Sequence, residues 1–244
     1  MVTKGSILYE GKAKKVYSLQ NNNHDNQCVL EFKDDLTAFD GNLKDSRDGK
    51  GILNNKISSQ LLNYLENQGV STHFIKCLSD REMLVTKTKI IPIEVVVRNI
   101  VAGSLVNRLG LEKGTELAYP VVEFYYKEDK LKDPLINEHH AIAINLATSY
   151  QLKEMSNLAL RINQLLKQYF YDLNLILVDF KLEFGRVSGE IILSDEITPD
   201  TCRLWDKLTK ESLDKDNFRE NKRDVLAGYE ELYQRIQRRL EKDV

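Results

Sequence analysis

Polar and apolar positions alternate without a break through "VDFKLEFG", where Val178, Phe180, Leu182 and Phe184 alternate with Asp179, Lys181 and Glu183. Period two is a strand signature, so one face is apolar and the other carries Asp179, Lys181 and Glu183. "EIILSDE" follows a Val187-Ser188-Gly189 turn signal and completes a hairpin. A three-residue loop there sets Arg186 opposite Glu190, Lys181 opposite Asp195, and Glu183 diagonal to Asp195; a two-residue turn sends Asp195 to the other face. Upstream, "SILYEGKAKKVYSL" reads as two short strands around Gly11, with "CVLEFK" as a third. "NNKISSQLLNYLENQG" is helical, with Ile57, Leu61 and Leu65 on one stripe and Gly69 just past its end. "REMLVTKTKIIPIEVVVRNIVAG" predicts two strands separated by Pro92, and "SLVNRLGL" a short helix. Residues 112–147 read as an irregular insertion with one strand, "VVEFYY". Thr148 and Gln151 form a capping-box pattern opening a helix to about Leu173, with Leu152, Met155, Ala159, Ile162, Leu166 and Tyr169 inward. Two helices close the chain, the second with Val225, Tyr229, Leu232, Ile236 and Leu240 inward. Strands come first, then strands and helices together, with a composition change near residues 85–92. The expected fold is therefore α+β in two lobes, residues 1–87 and 88–244.

Composition narrows the function classes. The 244 residues are 42% hydrophobic and 30% charged, with a formal net charge of −2, so no global basic field draws the chain to nucleic acid or anionic membrane. "MVTKGSILYEGKAKK" lacks the apolar stretch of a signal peptide, and apolar runs such as "LILV" fall far short of the ~20 residues that span a bilayer. Cys28, Cys77 and Cys202 fit neither a disulfide framework nor a zinc spacing. A cytoplasmic location is the expectation.

A strand that ends in "SDEITPD" concentrates Asp195, Glu196 and Asp200, and that much negative charge calls for a cation. Mg²⁺ with a nucleoside triphosphate suits it best, against the plainer account of a solvated sheet face with balanced charges. Lys12 and Lys14 share a strand face after Gly11, placed either to sit over a polyphosphate or to guard an edge strand. Neither a P-loop nor a dinucleotide fingerprint is present. In "EVVVRNIVAGS", Glu94 and Arg98 bracket an apolar strand and Gly103-Ser104 opens a helix, a seat for phosphate or carboxylate or an ordinary cap. Arg203 follows the acidic cluster, and "DDLTAFDG" adds Asp34, Asp35 and Asp40. His139 and His140 are adjacent, so they point apart and chelate poorly. No Ser-His-Asp or Cys-His arrangement indicates a covalent nucleophile.

Taken together, "LYEGKAKKVY", "KGILNNKIS", "VVVRNIVAGS", "DPLINE", "LVDFKLEFG" and "SDEITPDTCRLWD" closely resemble the SAICAR synthetase family, in its short single-function bacterial form, from about residue 7 to the last helix. The resemblance implies a two-lobed α+β fold similar to kinases and ATP-grasp enzymes, with ATP between a small antiparallel β lobe and a larger α/β lobe. It implies a carbon–nitrogen ligase of de novo purine synthesis, usually a homodimer, that joins L-aspartate to carboxyaminoimidazole ribonucleotide (CAIR) with ATP and Mg²⁺. Carried over by position, Gly11, Lys12, Ala13, Lys14 and Val16 would lie along ATP, and residues 86–89, including Lys87, would meet adenine. Glu183 and Asp195 would hold magnesium beside ATP, with Lys181, Asp179 and Asp200 as catalytic residues. Asp40, Arg98, Ser104 and Arg203 would hold the ribonucleotide. Asn137 and Glu138 receive no role. A small-molecule kinase with the same lobes is the alternative enzyme, and a nucleotide-sensing or RNA-binding module the alternative outside catalysis.

Overall fold

The computed structural model describes residues 2–20, 26–38, 43–219 and 224–242; Asp40 lies outside them. The first sheet has the order β1-β2-β3-β7-β6, built from β1 (Lys4–Glu10), β2 (Lys14–Leu19), β3 (Gln27–Phe32), β6 (Phe74–Cys77) and β7 (Glu82–Thr86). Between β3 and β6 the chain forms a small hairpin, β4 (Asp35–Ala38) and β5 (Leu43–Ser46), and helix α1 (Lys50–Asn67). The second sheet runs β10-β9-β8-β11-β12, from β8 (Lys89–Ile100), β9 (Glu116–Tyr126), β10 (Leu135–Ile136), β11 (Leu175–Val187) and β12 (Glu190–Leu193). Strand β13 (Cys202–Asp206) also pairs with β11. Helices α2 (Ser104–Leu109), α3 (Glu138–Ala143), α4 (Ser149–Asp172), α5 (Asp216–Arg219) and α6 (Val225–Lys242) complete the order. All named pairings within the sheets are antiparallel, so the fold class is α+β.

Alternation on β11 is realised as read. Phe180, Leu182 and Phe184 are buried with Val95 and Val97 of β8 under the α4 stripe of Leu152, Met155, Ala159, Ile162 and Leu166. Each such side chain contributes about 1.5–3 kcal/mol on leaving water, which fixes the register of β11 because a one-residue slip would turn its charges into the apolar layer, away from their ion-pair partners. One polar pair interrupts this layer: Asn99 and Asn163 exchange amide hydrogen bonds of 2.8 and 2.9 Å, satisfying each other where water is excluded. The Thr148–Gln151 capping box opens α4, and Gly69 follows α1 with φ +77°, the left-handed geometry a helix-terminating glycine supplies.

Several local expectations are corrected. The β11–β12 hairpin closes on a two-residue turn, with Val187 opposite Glu190 and Arg186 opposite Ile191. Ser188 and Gly189 have φ +51° and +93°, and two positive-φ residues match the right-handed twist of the flanking strands. Pro92 lies inside β8; the break between strands falls at Lys87-Thr88. The proline is tolerated because the β8–β11 ladder is irregular there, between the Glu183–Glu94 and Gly185–Ile90 pairs. Residues 112–147 are more regular than read, holding β9, β10 and α3. Gly103, with φ +53°, caps α2 and Ser104 is its first helical residue. Leu240, read as inward, is 37% exposed.

Two β12–β13 features place the acidic segment. β12 and β13 share one edge of β11, β12 on its C-terminal half and β13 on its N-terminal half. Between them the chain leaves β11 where Ser194 N donates to Glu183 O (2.9 Å) and returns where Lys181 N donates to Thr201 O (2.8 Å). The excursion is anchored from below by Asp200, which accepts from Lys50, from Asn54 Nδ2 (2.7 Å) and from Tyr229 Oη (3.0 Å), with Lys215 Nζ 3.7 Å away. Burial alone would raise the Asp200 pKa, but Lys50, Lys215 and these hydrogen bonds hold it well below the usual carboxylate range.

Lys50 is 1% exposed, so Asp200→Asn leaves a buried ammonium without its counter-ion. Urea unfolding at pH 7 is expected to show a loss of about 3–5 kcal/mol. The gap narrows as pH falls below about 4, because the depressed folded-state pKa makes this contribution present above the unfolded value and lost in acid. Gly185→Ala tests the close approach of β11 to the β7–β8 link: an added Cβ would lie 2.5 Å from Thr88 Cβ and 2.7 Å from Ser194 Oγ. The same titration is expected to show a loss of about 1–3 kcal/mol.

Candidate active site

The two sheets enclose a cavity of about 670 Å³. From the first sheet come the β1–β2 turn and the inner ends of β3 and β7; from the second come β8, β11 and the departing acidic segment. Gly11, Lys12, Ala13, Lys14, Val16, Lys87, Glu183 and Asp195 all line it, so the whole set expected to meet ATP converges on one space. The turn is tight, with Gly11 N donating to Lys14 O (2.9 Å), which brings its backbone to the wall. Val16, Leu30, Val85 and Ile90 supply an apolar surface beside Thr86–Thr88, suited to a flat ring.

Charge is concentrated on the rest of the wall. Glu183 on β11 stands directly opposite Glu94 on β8, an unfavourable pairing for like charges. Lys181 lies between them, 2.7 Å from Glu94 Oε1 and 3.3 Å from Glu183 Oε1, and Lys127 Nζ adds a second cation 2.6 Å from Glu183 Oε1. Burial would lower the pKa of Lys181, but Glu183, Glu94 and Asp195 outweigh it and hold the ammonium well above the ordinary lysine value. Lys14 reaches both Asp195 and Glu196. Its pKa is likewise raised against burial by Asp195, Glu196 and Glu183. Burial and the charge of Glu196 push Asp195 upward, while Lys14 and a hydrogen bond with Asp195 hold Glu196, against its own burial, at about 2. Lys12 pairs with Asp129 at 2.7 Å near the surface.

The assumed three-residue hairpin loop is wrong, yet Glu183 and Asp195 still share the cavity. Pairing stops at Leu193 and the chain bends at Asp195, so the face rule for a continuing strand no longer applies. Both are hard oxygen donors, fitting Mg²⁺ held by one or two carboxylates together with phosphate. Among the described residues no group of three or more His, Cys, Asp or Glu side chains is arranged to hold a metal ion without such a ligand.

A second centre lies on the same face of β11, two residues before Lys181. Asp179 accepts from Arg98 Nη1 (3.0 Å) and from Arg203 Nη1 (2.8 Å). Arg98 also donates to Glu123 (2.8 Å), Ser104 Oγ (3.3 Å) and Tyr125 Oη (3.2 Å), and Arg203 Nε donates to Asp216 (2.7 Å). Gly103 permits this approach, because a Cβ there would fall 2.8 Å from Arg203 Nη2. Arg98, Ser104 and Arg203 are therefore brought together. Asp200 lies beneath the acidic segment in its own network and is not on the cavity wall. Sequence reasoning missed Lys127, His73, Glu123 and Tyr125. The alternation in "VVEFYY" carried a signal for Glu123 and Tyr125, which share the face of Arg98 and Glu94; nothing local marked Lys127, one residue past β9.

Residues 7–236 match the family model described as SAICAR synthetase. The phosphoribosylaminoimidazole-succinocarboxamide synthase of Thermococcus kodakarensis is 54% identical over 230 residues, covering 94% of this chain and 96% of that protein. The crystal structure of the Ehrlichia chaffeensis enzyme of that name superposes with a TM-score of 0.92 at 43% identity, covering 95% of this chain and 98% of that one. A SAICAR synthetase (type 2) solved in complex with ADP superposes with a TM-score of 0.90 at 48% identity, covering 93% and 96%. With the family model matched over residues 7–236 and both sequence and fold matched over nearly the whole chain, the chain belongs to the SAICAR synthetase family.

Proposed function

We propose that the chain joins L-aspartate to the carboxylate of CAIR at the expense of ATP, releasing SAICAR, ADP and phosphate in purine biosynthesis. The observation that carries this reading is one strand face holding two anion seats in succession: Arg98 and Arg203 around Asp179, then the lysines around Glu183. The nucleotide would occupy the cavity, its base against Val16 and residues 86–89 and its phosphates among Lys12, Lys14, Lys127 and Lys181. The relative solved with ADP supports a nucleotide there. The CAIR phosphate would take Arg98, Ser104 and Arg203, with Asp40 as a further contact of the ribonucleotide. Glu183 and Asp195 would hold Mg²⁺, which when bound supplies positive charge to the phosphate oxygens.

Chemistry explains why this chain offers cations and no covalent nucleophile. A carboxylate is a poor acyl donor because oxide cannot leave. The CAIR carboxylate oxygen bonds to the terminal phosphorus as the bridge to ADP breaks, giving an acyl phosphate. The aspartate amine then forms the C–N bond, phosphate departs with the C–O electrons, and the amine gives up a proton. Lys181 and Lys14 stabilise the charge that builds on the transferring group, while Asp179 orients both arginines. Asp200 serves as a positioning residue, holding the acidic segment over α1. The sheets divide at 87/88 into a nucleotide-covering lobe and a substrate lobe, although α1 packs on α6 and the hydrophobic core runs through both. A homodimer and a cytoplasmic location accompany this reading, as the resemblance implies.

A small-molecule kinase would release ADP at full rate without aspartate and leave a stable phosphorylated product. Coupled ADP assays are expected instead to show turnover that requires both CAIR and aspartate, and Glu183→Gln and Asp195→Asn are expected to lose most of it while retaining a folded melting transition. Arg98→Ala is expected chiefly to raise KM for CAIR, since Arg98 is proposed to sit at the ribonucleotide seat; an unchanged KM in a folded variant, or a loss of activity accounted for by loss of folding alone, would contradict that placement.

A further inference from the structure

The two arginines around Asp179 are not held equally. Arg98 is fixed at every nitrogen: Nε donates to Glu123 (2.8 Å), Nη1 to Asp179 (3.0 Å), and Nη2 to Ser104 Oγ and Tyr125 Oη. Arg203 is held at two nitrogens. Its Nη1 donates to both oxygens of Asp179 (3.0 and 2.8 Å) and its Nε to Asp216 Oδ2 (2.7 Å), while Nη2 donates to no protein group among the described residues. A guanidinium pinned at one nitrogen can pivot about that point, and a second bond at Nε fixes its plane. The direction of the remaining N–H edge of Arg203 therefore depends on Asp216.

Backbone contacts deliver Asp216 to that place. Leu213 N donates to Leu204 O (2.8 Å) and Asp214 Oδ2 accepts from Leu204 N (2.8 Å), which clips the loop after β13 to the residue next to Arg203. Asp214 Oδ1 accepts in turn from Asp216 N (2.8 Å), and Asn217 Nδ2 donates to Ser212 O (2.7 Å). The buried Asp216 carboxylate then spans two cations, Oδ2 to Arg203 and Oδ1 to Arg219. Burial would raise its pKa, but Arg203 and Arg219 hold it below the ordinary carboxylate value, so it is ionised at neutral pH. Asp179 already meets the charge of Arg203, and one more carboxylate near a phosphate seat repels the ligand. What Asp216 adds is geometry.

We propose that Asp216 is a positioning residue for the ribonucleotide phosphate, acting through Arg203: it locks the guanidinium plane so that the Nη2 edge, which lies against Gly103, is presented to the phosphate. The proposal rests on the reading of Arg98, Ser104 and Arg203 as the seat of the CAIR phosphate, and it adds a residue that does not itself touch the substrate.

The test is steady-state kinetics of the full chain with CAIR varied against saturating ATP and aspartate. Asp216→Ala is expected to raise KM for CAIR about tenfold, with kcat changed by less than about twofold and KM for ATP unchanged. Asp216→Asn, which loses the charge but keeps an oxygen for Arg203 Nε–H, is expected to recover most of the wild-type KM. Asp216→Glu, which keeps the charge but displaces the oxygens, is expected not to. On an Arg203→Ala background, Asp216→Ala is expected to add less than about twofold, because the group it positions is gone. Removing a negative charge without any positioning role would lower KM for CAIR or leave it alone, and either result in folded Asp216→Ala overturns the proposal. So does an equal rise in KM for ATP, or a rise as large without Arg203 as with it. If Asp216→Ala fails to fold, Asp216→Glu decides: a wild-type KM for CAIR there overturns the proposal. In each of these cases a raised KM in Arg203→Ala leaves the phosphate seat standing, whereas an unchanged KM in Arg203→Ala overturns the seat itself.

Discussion

Glu94 and Glu183 face each other across β8 and β11, and two carboxylates so placed in a partly buried wall need cations between them. That constraint organises the site. Lys181 comes from the same strand as Glu183, two residues away on the same face, so the strand carries its own counter-ion. Lys127 arrives from the end of β9, and Lys14 from the opposite sheet meets the next pair of carboxylates at Asp195 and Glu196. The cations and anions proposed to meet phosphate and metal are thus held as ion pairs. On that proposal a polyphosphate with its cation would exchange partners with these groups, lysine to phosphate and carboxylate to metal, without leaving a buried charge unpaired.

The exchange needs carboxylates on two elements that a regular hairpin would separate. β11 solves this by pairing with β12 along one half and β13 along the other. The segment between them is released from the ladder at Glu183 and recaptured at Lys181, so its carboxylates project over the strand face instead of alternating away from it. Such a detour takes buried backbone out of the ladder and gathers negative charge, both unfavourable. Asp200 offsets this by tying the segment to Lys50 and Asn54 of α1 and Tyr229 of α6. The network makes α1 and α6 part of the support of the acidic segment.

Much of this was legible from the chain. Period-two alternation gave β11 and its charged face, and the Thr148–Gln151 box gave the start of α4, because both depend on contacts within a few residues. The hairpin register was misjudged because Val187-Ser188-Gly189 accommodates either loop length, and Ser188 adopts a left-handed φ that its residue type does not advertise. The assignment of Glu183 and Asp195 to one space survived that error because the ladder ends at Leu193. Lys127 and His73 were out of reach for a different reason. Their partners, Glu183 for Lys127 and Thr86 for His73, lie 56 and 13 residues away in sequence, and local pattern carries no record of such meetings.

The spacing along β11 also favours a ligase over simple phosphoryl storage. Asp179, Lys181 and Glu183 follow at about 7 Å intervals, so the arginine seat and the phosphate seat are about 13 Å apart on one rigid strand. On the proposed reading, a ribonucleotide anchored by its own phosphate at Arg98 and Arg203 would extend from that end toward Lys181, bringing its far end to the lysines. A transferable phosphoryl group beside Glu183 and Lys127 would approach the same point from the other side. Because both seats are carried by the same pair of hydrogen-bonded strands, their separation is set by the β8–β11 register and not by loop motion. Lys181 lies between the two seats, where on the proposed reading the acyl carbon, the phosphoryl group and the incoming amine would meet, and it is held there by Glu94 and Glu183.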